Sequence, residues 1–178
     1  MFAYEELEKK LVTQMENTLK DWSKENDDIY IFALDLARGV DSVGVIANTN
    51  HYLEEQAAPD SRDYWFYKYC EDEWELFDTF GEISGELRKY IGDNNAAFTN
   101  PETYEYTEAF DEHCEKVIES CKNALICFAQ SARAEYPKML FTFNIREYLD
   151  GDERIEIFEK VNDAEAAAEY TEHIDEFA

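Results

Sequence analysis

Basic side chains are scarce in this sequence: 16 Lys and Arg stand against 42 Asp and Glu in 178 residues, a formal net charge of −26. That shortage argues against direct contact with a nucleic-acid backbone, which requires Lys and Arg to neutralise phosphates. An anionic membrane would repel the chain for the same reason. Long apolar runs are missing too, so no segment is expected to span a bilayer. The start, Met1-Phe2-Ala3-Tyr4-Glu5-Glu6, lacks the basic residues and apolar stretch of a secretory signal, and the expected compartment is the cytoplasm. There is no Gly-rich phosphate loop, nucleophile elbow or zinc-protease helix signature, and no repeat or linker divides the chain.

What is present argues for a folded acidic domain. The chain is 45% apolar and 15% aromatic, whereas disordered acidic chains are poor in the residues that repay chain entropy. One domain spanning 1–178 is expected, with about 70% of the unfolded surface buried. Salt adaptation is a weaker explanation of the charge, since Lys outnumbers Arg ten to six. Partner binding is the stronger one: such an excess costs stability by self-repulsion and speeds encounter with anything basic.

Leu7, Leu11, Met15, Leu19 and Trp22 recur at helical spacing, predicting an amphipathic first helix that ends near Ser23. Ile29 to Leu34 and Ser42 to Ala47 form a predicted hairpin. Asn48-Thr49-Asn50 offers caps to a short helix, His51 to Ala57, ended by Pro59. Tyr64 to Cys70 is so aromatic that it reads as a third strand, with a helix from Glu71 carrying Phe77, Phe80, Ile83, Leu87 and Tyr90 on one face and closing at Gly92. After a loop through Asn100-Pro101, a long helix is expected from Tyr106 to about Glu135, supported by Phe110, Val117, Leu125 and Phe128. Met139 to Ile145 is a strand and Leu149 to Asp152 a turn. Ile155, Phe158 and Val161 fit a short helix, though Ile157 would suit a strand equally. An acidic helix over about 163–178 is anchored by Tyr170, Ile174 and Phe177. The class is α+β: several helices, one of them long and central, on a small mainly antiparallel sheet.

Candidate chemistry is sparse. His51 and Glu55 lie four apart, but no third and fourth ligand follows at metal spacing, so a solvated helix face is preferred. Cys114, Cys121 and Cys127 share a helix at poor metal geometry and are read as small buried hydrophobes; with Cys70 they are expected to be free thiols. His113 points about a quarter-turn from Cys114, so the neighbours do not make a nucleophile and base. Asp150-Gly151-Asp152-Glu153 lacks the rest of a calcium loop. Carboxylate pairs are too common here for any one to signal catalysis. No catalytic residue, metal ligand set or cofactor is expected.

Two acidic surfaces are candidates for partner contact. The first is Tyr64, Tyr67, Asp72, Glu73 and Trp74, where tyrosines that cannot all point inward from a strand stand beside carboxylates. Packing into the core is the favoured alternative for Trp65 and Trp74. The second is Glu165, Glu169, Glu172 and Asp175, within a segment, 147–178, that holds twelve acidic and two basic side chains. A solvated terminal helix is its plainer reading.

The order of features resembles a family of small bacterial proteins described as a domain of unknown function. The resemblance rests on the Ile29 to Leu34 strand and its hairpin mate, Ala47-Asn48-Thr49 leading to Leu53-Glu54-Glu55, Trp65 and Trp74 before Phe77 and Phe80, the long second-half helix, the Phe141 strand and Val161-Asn162. It spans about residues 5 to 162 and implies similarity to the acidic immunity proteins encoded beside secreted bacterial toxins. The expected function is therefore stoichiometric neutralisation of a cognate basic toxin domain, without enzymatic activity. The alternatives are an enzyme with a carboxylate and histidine pocket, for which His51 and His113 are the candidate histidines, and an acidic DNA mimic. Oligomeric state is not legible in the sequence.

Overall fold

The computed structural model describes residues 2–145 and 148–177, so Met1, Arg146, Glu147 and Ala178 lie outside the described residues, including both ends of the acidic terminal segment. Helix α1, Tyr4–Trp22, follows the periodicity of its sequence: Leu7, Leu11, Met15 and Leu19 are buried on one face. It lies along α6, Glu108–Ala132, whose Val117, Cys121, Leu125 and Phe128 face it and the sheet. Strands β1, Ile29–Leu36, and β2, Val43–Thr49, form the antiparallel hairpin. Thr49 then caps α2, Asn50–Gln56, by accepting a hydrogen bond from the Tyr52 N–H.

The fold class is α+β, with four strands in the order β3-β2-β1-β4. Strand β3, Leu76–Thr79, is antiparallel to β2, while β4, Leu140–Ile145, runs parallel to β1. A parallel neighbour requires a long crossover, and the chain between β3 and β4 supplies it through α6. Alternation sorts the side chains by layer. Phe32, Leu34, Val43, Val45, Phe141 and Phe143 meet α1, α6 and α4, Gly81–Asp93, on one face. Ile31 and Ala33 face Tyr69, Phe158, Tyr170 and Phe177 on the other, beneath α3, Tyr64–Tyr69, and α8, Ala164–His173. Between them in sequence, α7, Gly151–Val161, starts at a capping box formed by Asp150 and Glu153. At its C-terminal end the Asn162 side chain closes the β4 edge. Its Oδ1 accepts from the Phe141 N–H at 2.9 Å and its Nδ2 donates to the Phe141 carbonyl at 2.7 Å.

Three expectations change. The expected strand Tyr64 to Cys70 is a helix over Tyr64–Tyr69, because Trp65 and Tyr69, four apart and stacked at 9°, form one face that packs towards α8. Strand propensity loses there to tertiary contact. The helix expected from Glu71 is instead a 3-10 turn, Glu71–Glu73, followed by β3, and α4 begins only at Gly81. Phe77 consequently leaves the helical core face and stands on the strand, 78% exposed. Tyr106 lies before α6 rather than in it and is 68% exposed. The segment holding Ile157 is helical, with Ile157, Phe158 and Val161 buried.

Gly44 is required where β3 crosses β2. A Cβ at Gly44 would sit 2.2 Å from the Asp78 carbonyl oxygen, far inside contact distance.

Candidate functional site

The two sequence-derived surfaces meet inside the molecule more than at its surface. Trp65 stacks on His173 with ring centres 3.8 Å apart, tying α3 to α8. Glu169 accepts hydrogen bonds from Lys68 Nζ at 2.6 Å and the Tyr69 hydroxyl at 2.5 Å. Burial works against its charge, but those two donors outweigh it and hold the carboxyl below its ordinary range. Glu169 is therefore an internal tie. Tyr64, Glu165 and Glu169 line one open cleft of about 380 Å³ together with Lys68 and Lys138, whose cations make it mixed in sign. Tyr67 is half-buried, Trp74 is buried, Glu73 is half-buried and Asp72 is exposed; none of these four lines that cleft. Glu165, Glu172 and Asp175 remain exposed.

Glu71, beside the aromatic segment, is buried and gripped by Arg154, whose Nη2 lies 2.8 and 2.7 Å from the two carboxylate oxygens. Burial pushes its carboxyl up, against the pull of the arginine. This pair locks the turn Glu71–Glu73 to α7 and offers nothing to a ligand.

The combination of exposed rings and carboxylates occurs instead where α6 begins. Between Asn100 and Glu115 the sequence carries six carboxylates and no Lys or Arg. The loop there is internally bonded. Thr99 pairs with Tyr106, Asn100 N–H donates to the Glu105 carbonyl at 2.9 Å, and Asn100 Oδ1 accepts from the N–H groups of Glu102 and Thr103. Thr107 Oγ1 donates to the Ala97 carbonyl at 2.7 Å, fixing the loop to α5, Asn95–Phe98. This scaffold holds Tyr104 at φ 60° with its ring 83% exposed. Tyr106 stacks on buried Phe110, ring centres 4.1 Å apart at 21°.

Tyr106 and Phe110 line a groove of about 730 Å³ with Asp111, Cys114, Glu115 and Tyr148, closed on its far side by Arg38 and Gly39 of the β1–β2 turn. The turn is anchored by Val40, which is 1% exposed and held at φ 48°. A β-branched residue in the left-handed region costs about 1–3 kcal/mol, which burial of its side chain, about 1.5–3 kcal/mol, offsets. Both walls are thus fixed before any partner arrives. Sequence reasoning missed this site by counting Tyr106 into the helix. The pattern Tyr104-Glu105-Tyr106-Thr107-Glu108, following the turn formers Asn100-Pro101, carried the signal.

His113 sits behind the groove. Its ring stacks on Phe98 at 13°, Phe2 and Tyr90 close around it, and Nδ1 meets the Tyr4 hydroxyl at 2.9 Å, while Nε2 has no hydrogen-bond partner among the described residues. Burial, with a smaller contribution from Lys116, pushes its pKa down from 6.5. Neither ring nitrogen bonds Cys114, whose thiol burial pushes up to about 11. A thiolate at Cys114 is thereby disfavoured. Cys121 is buried as expected of a small hydrophobe, Cys114 and Cys70 are half-buried, and Cys127, contrary to expectation, is exposed; all four are free thiols. His51 faces solvent and approaches Glu55 at 3.4 Å. Among the described residues no three His, Cys, Asp or Glu side chains are grouped to hold a metal ion, and no helix is long and apolar enough to cross a membrane.

Residues 7–163 match the model of a family described as a domain of unknown function (DUF4303). The chain belongs to that family. No curated protein and no solved structure matches it. Within this DUF4303 domain the whole groove falls inside the matched span, whereas α8, with Glu165, Glu169 and Glu172, lies beyond it.

Proposed function

We propose that this DUF4303 protein is a binding protein that captures a basic partner in the groove between α6 and the β1–β2 turn. The observation that carries the reading is the coincidence of exposed tyrosines, Tyr104, Tyr106 and Tyr148, with Asp111, Glu115 and the surrounding carboxylates on a preorganised support. Tyrosine supplies large contact area at low entropy cost and is enriched among the residues that dominate binding energy. The carboxylates accelerate encounter and set the sign of the partner. Of such functions, we favour an immunity protein that blocks the basic cleft of a cognate toxin acting on an anionic substrate. The exposed row of Glu165 and Glu172 on α8 and Asp175 in the 3-10 turn after it, Ile174–Glu176, is a second, weaker acidic face.

Coexpression with any toxin domain that a neighbouring gene encodes tests this reading. The complex should copurify, and association should slow as salt rises. Tyr106→Ala should weaken it by about 2 kcal/mol, roughly 30-fold in Kd. Paired reversal at Asp111 and Glu115 to Lys should abolish rescue, while reversal at Glu165 and Glu172 should have the smaller effect. Unchanged binding and rescue in all these variants would sink the proposal. Capture of many unrelated DNA-binding proteins would indicate a DNA mimic instead.

A further inference from the structure

The two edges of the sheet are treated differently. At β4 the Asn162 side chain occupies the backbone hydrogen-bonding groups of Phe141, as a neighbouring strand would. At the opposite end, among the described residues, β3 bonds to β2 alone and no helix, loop or side chain is hydrogen-bonded across its outer edge. Phe77, Asp78 and Thr79 are all exposed. Open edges pair with other chains unless something prevents it, and proteins ordinarily keep large apolar side chains off them. Phe77, 78% exposed beside half-buried Ile46, is the reverse of that practice.

Charge decides what could add there. From Glu71 to Glu86 the sequence has seven carboxylates and no Lys or Arg. Glu71 is held by Arg154 and Glu86 by Lys10, but exposed Glu75, Asp78 and Glu82 form no ion pair among the described residues. A second copy docking edge to edge would bring these carboxylates against their own kind, with a net charge of −26 on each chain. The edge therefore rejects self-pairing while remaining open to a strand of opposite sign.

We propose that the outer edge of β3 accepts an extended, Lys- or Arg-bearing segment of a partner protein as a fifth strand. Main-chain bonds to Phe77 and Thr79, whose backbone groups alternate with the β2-bonded ones and point away from β2, would hold the segment, Phe77 would take an apolar side chain on one face, and Asp78 with Glu75 and Glu82 would select cations. This surface is separate from the tyrosine groove and does not depend on it.

The test uses the full chain and two synthetic peptides, acetylated and amidated Lys-Val-Lys-Val-Lys-Val-Lys and a twin N-methylated at every inner amide. The twin keeps charge and side chains but loses its hydrogen-bond donors. At about 0.15 M salt, where long-range attraction between exposed charges is screened, the unmodified peptide should bind at least about tenfold tighter than the twin. It should also slow amide exchange within 76–79. Phe77→Ala with Asp78→Lys should remove that preference, and both positions are exposed, so folding should survive, as circular dichroism can verify. Tyr106→Ala should leave it intact, which separates this site from the groove. Equal binding of the two peptides, no binding of either, or a preference that persists in the Phe77 and Asp78 variant would overturn the proposal.

Discussion

Tyr104 offers a measurement in which stability and binding should move in opposite directions. Its backbone is held at φ 60° by the Asn100 turn, and its ring is 83% exposed. The left-handed conformation costs a non-glycine residue about 1–2 kcal/mol, and little buried area is available to offset it. Tyr104→Gly removes that cost while adding about 0.5–1 kcal/mol of unfolded-chain entropy. The net expectation is a gain of about 0.5–1 kcal/mol, or about 1–4 °C in Tm for a chain of this size. Tyr104→Ala is the control, because it removes the ring and keeps the backbone penalty. Urea denaturation with an unchanged m-value should rank Gly above both Tyr and Ala. The same two variants should weaken partner binding alike, since both lack the ring. A Gly variant no more stable than the Ala variant would refute the strain argument; undiminished binding in both would remove Tyr104 from the interface.

Arg154→Met should cost about 3–5 kcal/mol by leaving Glu71 buried without its partner. Adding Glu71→Gln should recover part of that loss in urea denaturation. The Arg154→Met deficit, measured against the double variant, should shrink as pH falls and Glu71 takes up a proton. Its folded pKa is raised, so the destabilisation belongs to the high-pH side. His113 runs the other way. Its folded pKa is lowered, so the stability it contributes is present above about 6.5 and is lost as pH falls from there through the folded value. Wild type should lose stability relative to His113→Phe between pH 8 and pH 5.5, measured by chemical denaturation; a pH-independent difference would contradict this. Asn162→Ala should cost about 1–3 kcal/mol by stripping the Phe141 N–H and carbonyl of their partner, with faster amide exchange along β4 as the local signature.

Periodicity in the sequence was enough for α1, the β1–β2 hairpin, α6 and β4, since in each the apolar spacing agrees with local propensity and nothing distant contradicts it. The acidic excess was equally legible, because a charge imbalance of this size survives every arrangement of the chain. Which rings and carboxylates reach solvent was not. Trp74 and Tyr106 both sit among acidic residues in the sequence, yet Trp74 is 9% exposed and Tyr106 is 68% exposed. Glu169 and Glu172 share one helix, yet only Glu169 meets Lys68 and Tyr69. These outcomes depend on contacts between residues about 100 positions apart, such as Lys68 with Glu169. Aromatic residues suit strand, helix and surface alike, so the partner across the core decides among them. Sequence alone determined an acidic α+β domain built around one long helix; the tertiary packing of α3 on α8, and of the Asn100 loop on α6, decided where its acidic and aromatic groups are free to act.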